Sequence, residues 1–230
     1  MQLSAIVPLP IAVADNRAAV FAPLAGESPL VRIVRATLGA VAEPRCVVVA
    51  AEPLADAVRG SLAAHDLPVG VAVAADTGRR AQCLAAGLEY LEREFVSVRH
   101  VLIHDIRRPL ASTGVRDRVI AELRRGSTVV MPALPLTDSV KAVDARGSVT
   151  GTLDRSVLRA VQYPRGFNVD QLAHLLAERT SDEFDELEEA IRAGLPITTV
   201  DGDPDAFVVD LPSDTTFVEA IIACRRAEDS

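Results

Sequence analysis

The chain has no tryptophan, and aromatic residues make up only 3% of it. Its basic residues form no stripe with aromatics interleaved, which removes the stacking platform and charged track used to hold nucleic acid. A formal net charge of -8 adds repulsion toward a polyanion, so nucleic-acid binding is disfavoured and an anionic small molecule needs locally gathered basic residues. Although 49% of residues are hydrophobic, no apolar run approaches the roughly 18 residues of a membrane span. Met1–Ser4 lacks a basic region followed by an apolar stretch, so no secretory signal is expected and the cytoplasm is the expected location. Three cysteines, Cys46, Cys83 and Cys224, are too few and too widely spaced for a disulfide framework or a zinc site, and read as free thiols. No lysine precedes Lys141.

What is present is an alternation. Short apolar runs at 3–8, 46–50, 69–74, 98–104 and 128–133 read as buried strands, with amphipathic stretches between them, which predicts a mostly parallel sheet covered on both faces. Ser28 before Pro29 predicts a capped helix with proline in its first turn. A second helix is expected from Thr77 or Gly78, with Leu84, Leu88 and Leu91 as one apolar stripe, and a third from Thr113 to Arg125, closed by Gly126. Asp138–Val143 and Ser148–Leu153, joined by Asp144-Ala145-Arg146-Gly147, read as a hairpin that needs a surface to pack on. Helices are expected over 168–180 and 181–193, strands over 197–200 and 206–209, and a last helix from Ser213 to Arg226. At 230 residues the chain is expected to form one domain, 1–230, with the hairpin 138–153 as an appendage.

Parallel α/β sheets bind ligands beyond the carboxyl ends of their strands, so the loops after Val7, Ala74, His104 and Ala133 are expected to share a crevice. After the fourth predicted strand comes His104-Asp105-Ile106-Arg107-Arg108-Pro109. An aspartate beside two arginines suits Mg²⁺ next to phosphate oxygens, because hard cations prefer carboxylates and guanidinium forks match phosphates. A structural salt-bridged turn has the same spacing. The acidic run Asp182, Glu183, Asp185, Glu186, Glu188, Glu189 reads as the wet face of a helix.

These segments resemble the 2-C-methyl-D-erythritol 4-phosphate cytidylyltransferase family of non-mevalonate isoprenoid biosynthesis. His104–Pro109 is similar to the family's His-Asp-Ala-Ala-Arg-Pro with both alanines altered, and Arg80-Ala81-Gln82-Cys83-Leu84-Ala85-Ala86-Gly87-Leu88 to its Arg-x-x-Ser-Val-x-x-Gly-Leu. Asp138-Ser139-Val140-Lys141 resembles its Asp-Thr-x-Lys, and Asp154-Arg155 with Gln162-Tyr163-Pro164-Arg165-Gly166-Phe167 its Asp-Arg and Gln-Thr-Pro-Gln-x-Phe. Ser181-Asp182-Glu183 resembles its Thr-Asp-Asp/Glu.

The resemblance implies a doubly wound sheet of the nucleotide-diphospho-sugar transferase type with a protruding β-hairpin arm, and transfer of a cytidylyl group from CTP to methylerythritol phosphate. It implies a homodimer joined by the arm at 138–153. Asp105 would face Mg²⁺ in an active chain, with Lys141 and Arg155 in remnant catalytic roles. Arg108, Ser139 and Ser181, together with Arg155, would surround the phosphosugar. Gly78, Arg80, Gln82 and Cys83 would lie at the nucleotide.

One region departs from the pattern. The family's first strand leads to Ala-Ala-Gly-x-Gly-x-Arg and a Pro-Lys pair that cradle the triphosphate, whereas here the glycines align with Ile11 and Val13, the arginine with Asp15 and the lysine with Val20. Val208 stands where the family has a lysine near the C-terminus. Three missing charged contacts at about 1.5–3 kcal/mol each amount to roughly 5–9 kcal/mol, on the order of 10⁴ to 10⁶ in rate. The implied reading is a catalytically impaired homologue that keeps the scaffold, in which case no cofactor is needed. The alternatives are an active cytidylyltransferase with Arg17 and Arg107, or a partner's residues, as substitute cations, or transfer of another nucleotide or to another phosphosugar. Cations introduced at 15, 20 and 208 are expected to raise nucleotide affinity.

Overall fold

The computed structural model describes residues 2–42, 45–75, 77–181 and 183–228. Its centre is an eight-stranded, mostly parallel sheet. The strands are β1 (Leu3–Leu9), β2 (Cys46–Ala50), β3 (Gly70–Val73), β4 (His100–Ile103), β5 (Val129–Pro135), β8 (Arg159–Val161), β9 (Arg165–Asn168) and β10 (Ile197–Asp201), and a separate hairpin pairs β6 (Lys141–Val143) with β7 (Val149–Thr152). The sheet runs β10-β5-β9-β4-β1-β2-β3, with β8 paired antiparallel to β5 and β9 inserted antiparallel between β4 and β5. Every residue of β1 and β2 is buried, which is why these strands are apolar on both faces rather than alternating, with Ser4 the one polar residue.

Helices cover both faces. Among the described residues they are α1 (Ala18–Phe21), α2 (Pro29–Leu38), α3 (Glu52–Ala64), α4 (Arg80–Glu94), α5 (Thr113–Arg124), α6 (Val169–Ala177), α7 (Glu186–Arg192) and α8 (Thr215–Glu228). Leu84, Leu88 and Leu91 of α4 and Leu172 and Leu175 of α6 pack with Ile6, Val47 and Ile103. On the other face Leu30, Ile33 and Val34 of α2 and Leu54, Val58 and Leu62 of α3 pack with Val7, Leu9 and Val48. Neighbouring strand residues thus feed opposite layers, as the two-residue period of a strand requires. The Ser28 hydroxyl accepts from Val31 N at 3.3 Å, and Gly126 ends the α5 region at φ +101°. No described helix is long and apolar enough to cross a membrane.

Several expectations change. The helix expected from Thr77 or Gly78 starts at Arg80, because Gly78 is used in the preceding turn at φ +62° and its carbonyl accepts from Ile11 N at 2.8 Å. The helix expected over 181–193 starts only at Glu186, where the Asp185 carboxylate accepts from Leu187 N and Glu188 N at 2.8 and 3.1 Å. Asp182 lies outside the described residues. Residues 206–209 form no strand. Instead Ala206 N donates to Asp203 O and Val209 N to Arg107 O, which spends their backbone groups on turns and on the site loop. The last helix begins at Thr215 after a turn holding Ser213. Helix α3 and strands β8 and β9 lie outside the sequence expectation. β9 is short, and Gly166 within it meets Val119 and Leu123 too closely to carry a side chain.

Candidate active site

β1 lies between β2 and β4, so the chain leaves β1 and β4 at the point where strand order reverses. A cavity of about 650 Å³ opens there, at the carboxyl ends of the strands. Pro10, Ile11, Ala12 and Val13 line it from the first loop, Arg79 and Arg80 from the start of α4, and Asp105, Ile106 and Arg107 from the loop after β4. Glu183, Phe184, Asp185 and Glu188 close the remaining side.

The first loop folds into one turn of 3-10 helix, Ile11–Val13. Ile11 N donates to Gly78 O, Val13 N to Pro10 O at 3.0 Å and Ala14 N to Ile11 O at 2.9 Å, so these three donors are satisfied within the protein. Asp15 is exposed beyond the turn, and Val20 is fully buried against the layer of Leu9, Leu30 and Ile106. The expectation that a lysine at 20 would serve a nucleotide therefore fails: it would place an ammonium in the core. Val208 is exposed, beside the Val209 N–H that holds the site loop.

Asp105 is 7% exposed and is spanned by its neighbour. Arg107 donates from its backbone N and Nε to Oδ1 at 3.0 and 3.2 Å, and from Nη2 to Oδ2 at 2.9 Å. Burial pushes the carboxyl upward, but the hydrogen bonds and charge of Arg107 outweigh it and hold Asp105 below the ordinary aspartate value. Arg80 is committed elsewhere, donating from Nε and Nη2 to Glu186 at 2.9 and 2.7 Å and from Nη2 to the Tyr163 hydroxyl at 3.2 Å. The Tyr163 hydroxyl donates to Glu186 at 3.0 Å, and Arg165 lies over the Tyr163 ring at 4.2 Å while donating to Asp185 at 3.0 Å. Glu186 is fully buried. Burial would raise its pKa, yet Arg80 and Arg165 drive it down to about 2.

Of the residues singled out in the sequence, Ile11, Val13, Arg80, Asp105 and Arg107 line this cavity together with Glu183, Asp185 and Glu188 of the acidic run, and Gly78 supports it through Ile11. Cys83 faces the core, its Sγ 3.7 Å from Gly78 O, and burial pushes the thiol up to about 12. Gln82 is half-buried, and its Oε1 is buried without a hydrogen-bond partner. Arg108 does not line the cavity; it donates to Ala206 O and, at 3.2 Å, to Val161 O. Ser139, Lys141 and Arg155 are exposed on or beside the hairpin, where Lys141 Nζ donates to Thr152 at 2.8 Å and Arg155 to Thr137 O. Ser181 is exposed, its hydroxyl accepting from Glu183 N at 3.0 Å. In this chain, then, the arm residues do not line the cavity.

A family profile described as 2-C-methyl-D-erythritol 4-phosphate cytidylyltransferase matches residues 12–224. The chain belongs to this family. A cytidylyltransferase of that name from Rhodococcus opacus (strain B4) is 35% identical over 208 residues, 90% of this chain and 88% of that protein. One from Frankia casuarinae is 38% identical over 210 residues, 90% and 75% of the two chains. The crystal structure of 2-C-methyl-D-erythritol 4-phosphate cytidylyltransferase from Thermus thermophilus superposes with a TM-score of 0.73 at 25% identity, covering 97% of this chain and 100% of that one.

In this cytidylyltransferase-family chain the acidic run also departs from the sequence expectation. Glu186 does not lie on the wet face of a helix. It is the buried centre of the ion-pair cluster with Arg80 and Arg165, joined across 106 residues of sequence in the case of Arg80. Only its place on the inward side of α7 near Ala190, which is also buried, hinted at this.

Proposed function

We propose that this chain keeps the cytidylyltransferase scaffold and a cavity for a phosphorylated small molecule, and transfers a cytidylyl group poorly. The supporting observation is the first loop, whose Ile11, Val13 and Ala14 N–H groups are turned inward to protein carbonyls rather than offered to a chain of phosphates. Side chains at 11 and 13 also fill space that a closely approaching phosphate would need.

Magnesium is the cation implied for an active chain, and Asp105 fits it: the carboxylate is ionised, borders the cavity and is a hard oxygen donor. Among the described residues no three His, Cys, Asp or Glu side chains are grouped to hold a metal, so substrate phosphates and water would complete the shell. Bound there, the cation would offset charge on those phosphates. A second reading, an active transferase, draws on Arg79 and Arg107 at the cavity wall, Arg80 being held by Glu186. Arg17 gives that reading no help, since it is exposed and donates to Pro53 O at 3.4 Å.

The hairpin supports a homodimer in which the neighbour's Ser139, Lys141 and Arg155 approach the cavity. Val143, Val149 and Leu153 expose apolar surface on an arm with little else to hold it. Cys46, Cys83 and Cys224 are unpaired, which suits the reducing cytoplasm. The deciding experiment is pyrophosphate release from CTP and methylerythritol phosphate with Mg²⁺. The expected rate does not exceed that of an Asp105→Ala control, and turnover well above the control establishes the active reading. A panel of other nucleotides and phosphosugars under the same conditions tests altered substrate choice.

A further inference from the structure

Asp105 is the carboxylate that reaches the cavity from the loop after β4, and both its oxygens are already taken. The Arg107 fork meets them through Nε and Nη2 at 3.2 and 2.9 Å, a two-pronged geometry that matches a carboxylate plane. The backbone N of Arg107 adds a third donor, and its carbonyl is fixed by Val209 N at 2.8 Å, so the loop itself is pinned. The Arg107 side chain is nevertheless 55% exposed, against 8% for that of Asp105. The guanidinium therefore has solvent to swing into by side-chain rotation, while the carboxylate is enclosed by protein.

We propose that Arg107 is a built-in counter-cation that occupies the metal-facing oxygens of Asp105, so that the resting chain excludes a divalent cation from the cavity. A hard cation would compete with the fork for the carboxylate oxygens, and a metal and a guanidinium held on the same carboxylate repel each other. The proposal deepens the reading of the cavity as a phospho-ligand site and rests on it. A phosphorylated ligand, which also suits a guanidinium fork, would draw Arg107 away and open Asp105 to metal, so that metal and ligand favour each other's binding.

The test uses Mn²⁺ as the probe on the full chain without nucleotide or sugar, reading free Mn²⁺ by electron paramagnetic resonance. Arg107→Gln is expected to bind Mn²⁺ at least tenfold tighter than wild type, and adding Asp105→Asn to remove that site. Arg107→Lys, which keeps the charge, is expected to remain as weak as wild type. Arg107→Ala, checked together with Arg107→Gln for native circular dichroism and a cooperative thermal transition, guards against a folding artefact. Equal Mn²⁺ affinity in wild type, Arg107→Gln and Arg107→Ala overturns the proposal, as does tightening that survives Asp105→Asn. Brisk pyrophosphate release by wild type would instead overturn the impaired reading while leaving the Mn²⁺ comparison to stand or fall by itself.

Discussion

At Glu186 the chain commits a fully buried carboxylate to two arginines and a tyrosine hydroxyl, and the cost of removing it follows from what it leaves behind. Arg80 and Arg165 would remain in low dielectric with one anionic partner fewer, a defect that costs about 3–5 kcal/mol. Glu186→Gln is expected to lower the denaturation midpoint accordingly, with no change in the denaturant slope, as urea titration followed by circular dichroism will check. Asp105 is likewise a buried acid, here paired with a half-exposed base, so removing Arg107 leaves a desolvated carboxylate without its main counter-charge and is expected to cost stability as well. The sequence places Asp105 and Arg107 two residues apart and so makes their pairing legible. It carries no comparable signal for Glu186, which looks like one member of a solvated acidic run.

At the scale of elements, the buried parallel strands are legible where they are short and mainly apolar, and β2, an unbroken apolar run, spans the expected 46–50. β9 and α3 are hidden for different reasons. β9 is Arg-Gly-Phe-Asn, held in place by its neighbours β4 and β5 rather than by its own propensity. α3 begins with Glu-Pro, and alanine dilutes its apolar face. The hairpin β6–β7 is legible from its turn, where the Asp144 carboxylate accepts from Arg146 N and Ser148 N and Gly147 takes φ +82°. Its exposed apolar surface gives a prediction: Val149→Asp with Leu153→Asp will convert a dimer to a monomer in analytical ultracentrifugation. The melting temperature should change by no more than about 1–2 °C, since neither side chain joins a core cluster. A wild-type chain that sediments as a monomer refutes the role of the arm.

For the whole molecule, stability is expected to fall on acidification in two stages. His104 is buried, and its Nε2 lies 3.1 Å from the Thr37 hydroxyl, which donates to Ile33 O and so accepts from the ring N–H. Burial, aided by Arg116, lowers the imidazole from 6.5 to about 4, so the unfolded chain binds a proton that the native one refuses. Stability present above pH 6.5 is therefore lost as pH falls toward 4, at up to about 1.4 kcal/mol per pH unit for this one group. Glu186 begins a second loss below 4.5. Urea titrations between about pH 7.5 and 4.5 should show the first stage, and His104→Gln should flatten it. Local patterning determined the layers, the helix caps, the hairpin and the family, because apolar period and turn chemistry act over a few residues. Only the tertiary structure decided that Val20 faces the core, that Arg108 ties down backbone carbonyls, that the first loop spends its N–H groups on Gly78 and its own turn, and that Glu186 lies between two arginines. Each of these is set by packing and charge in three dimensions, mostly between segments far apart in the chain, and no local pattern encodes it.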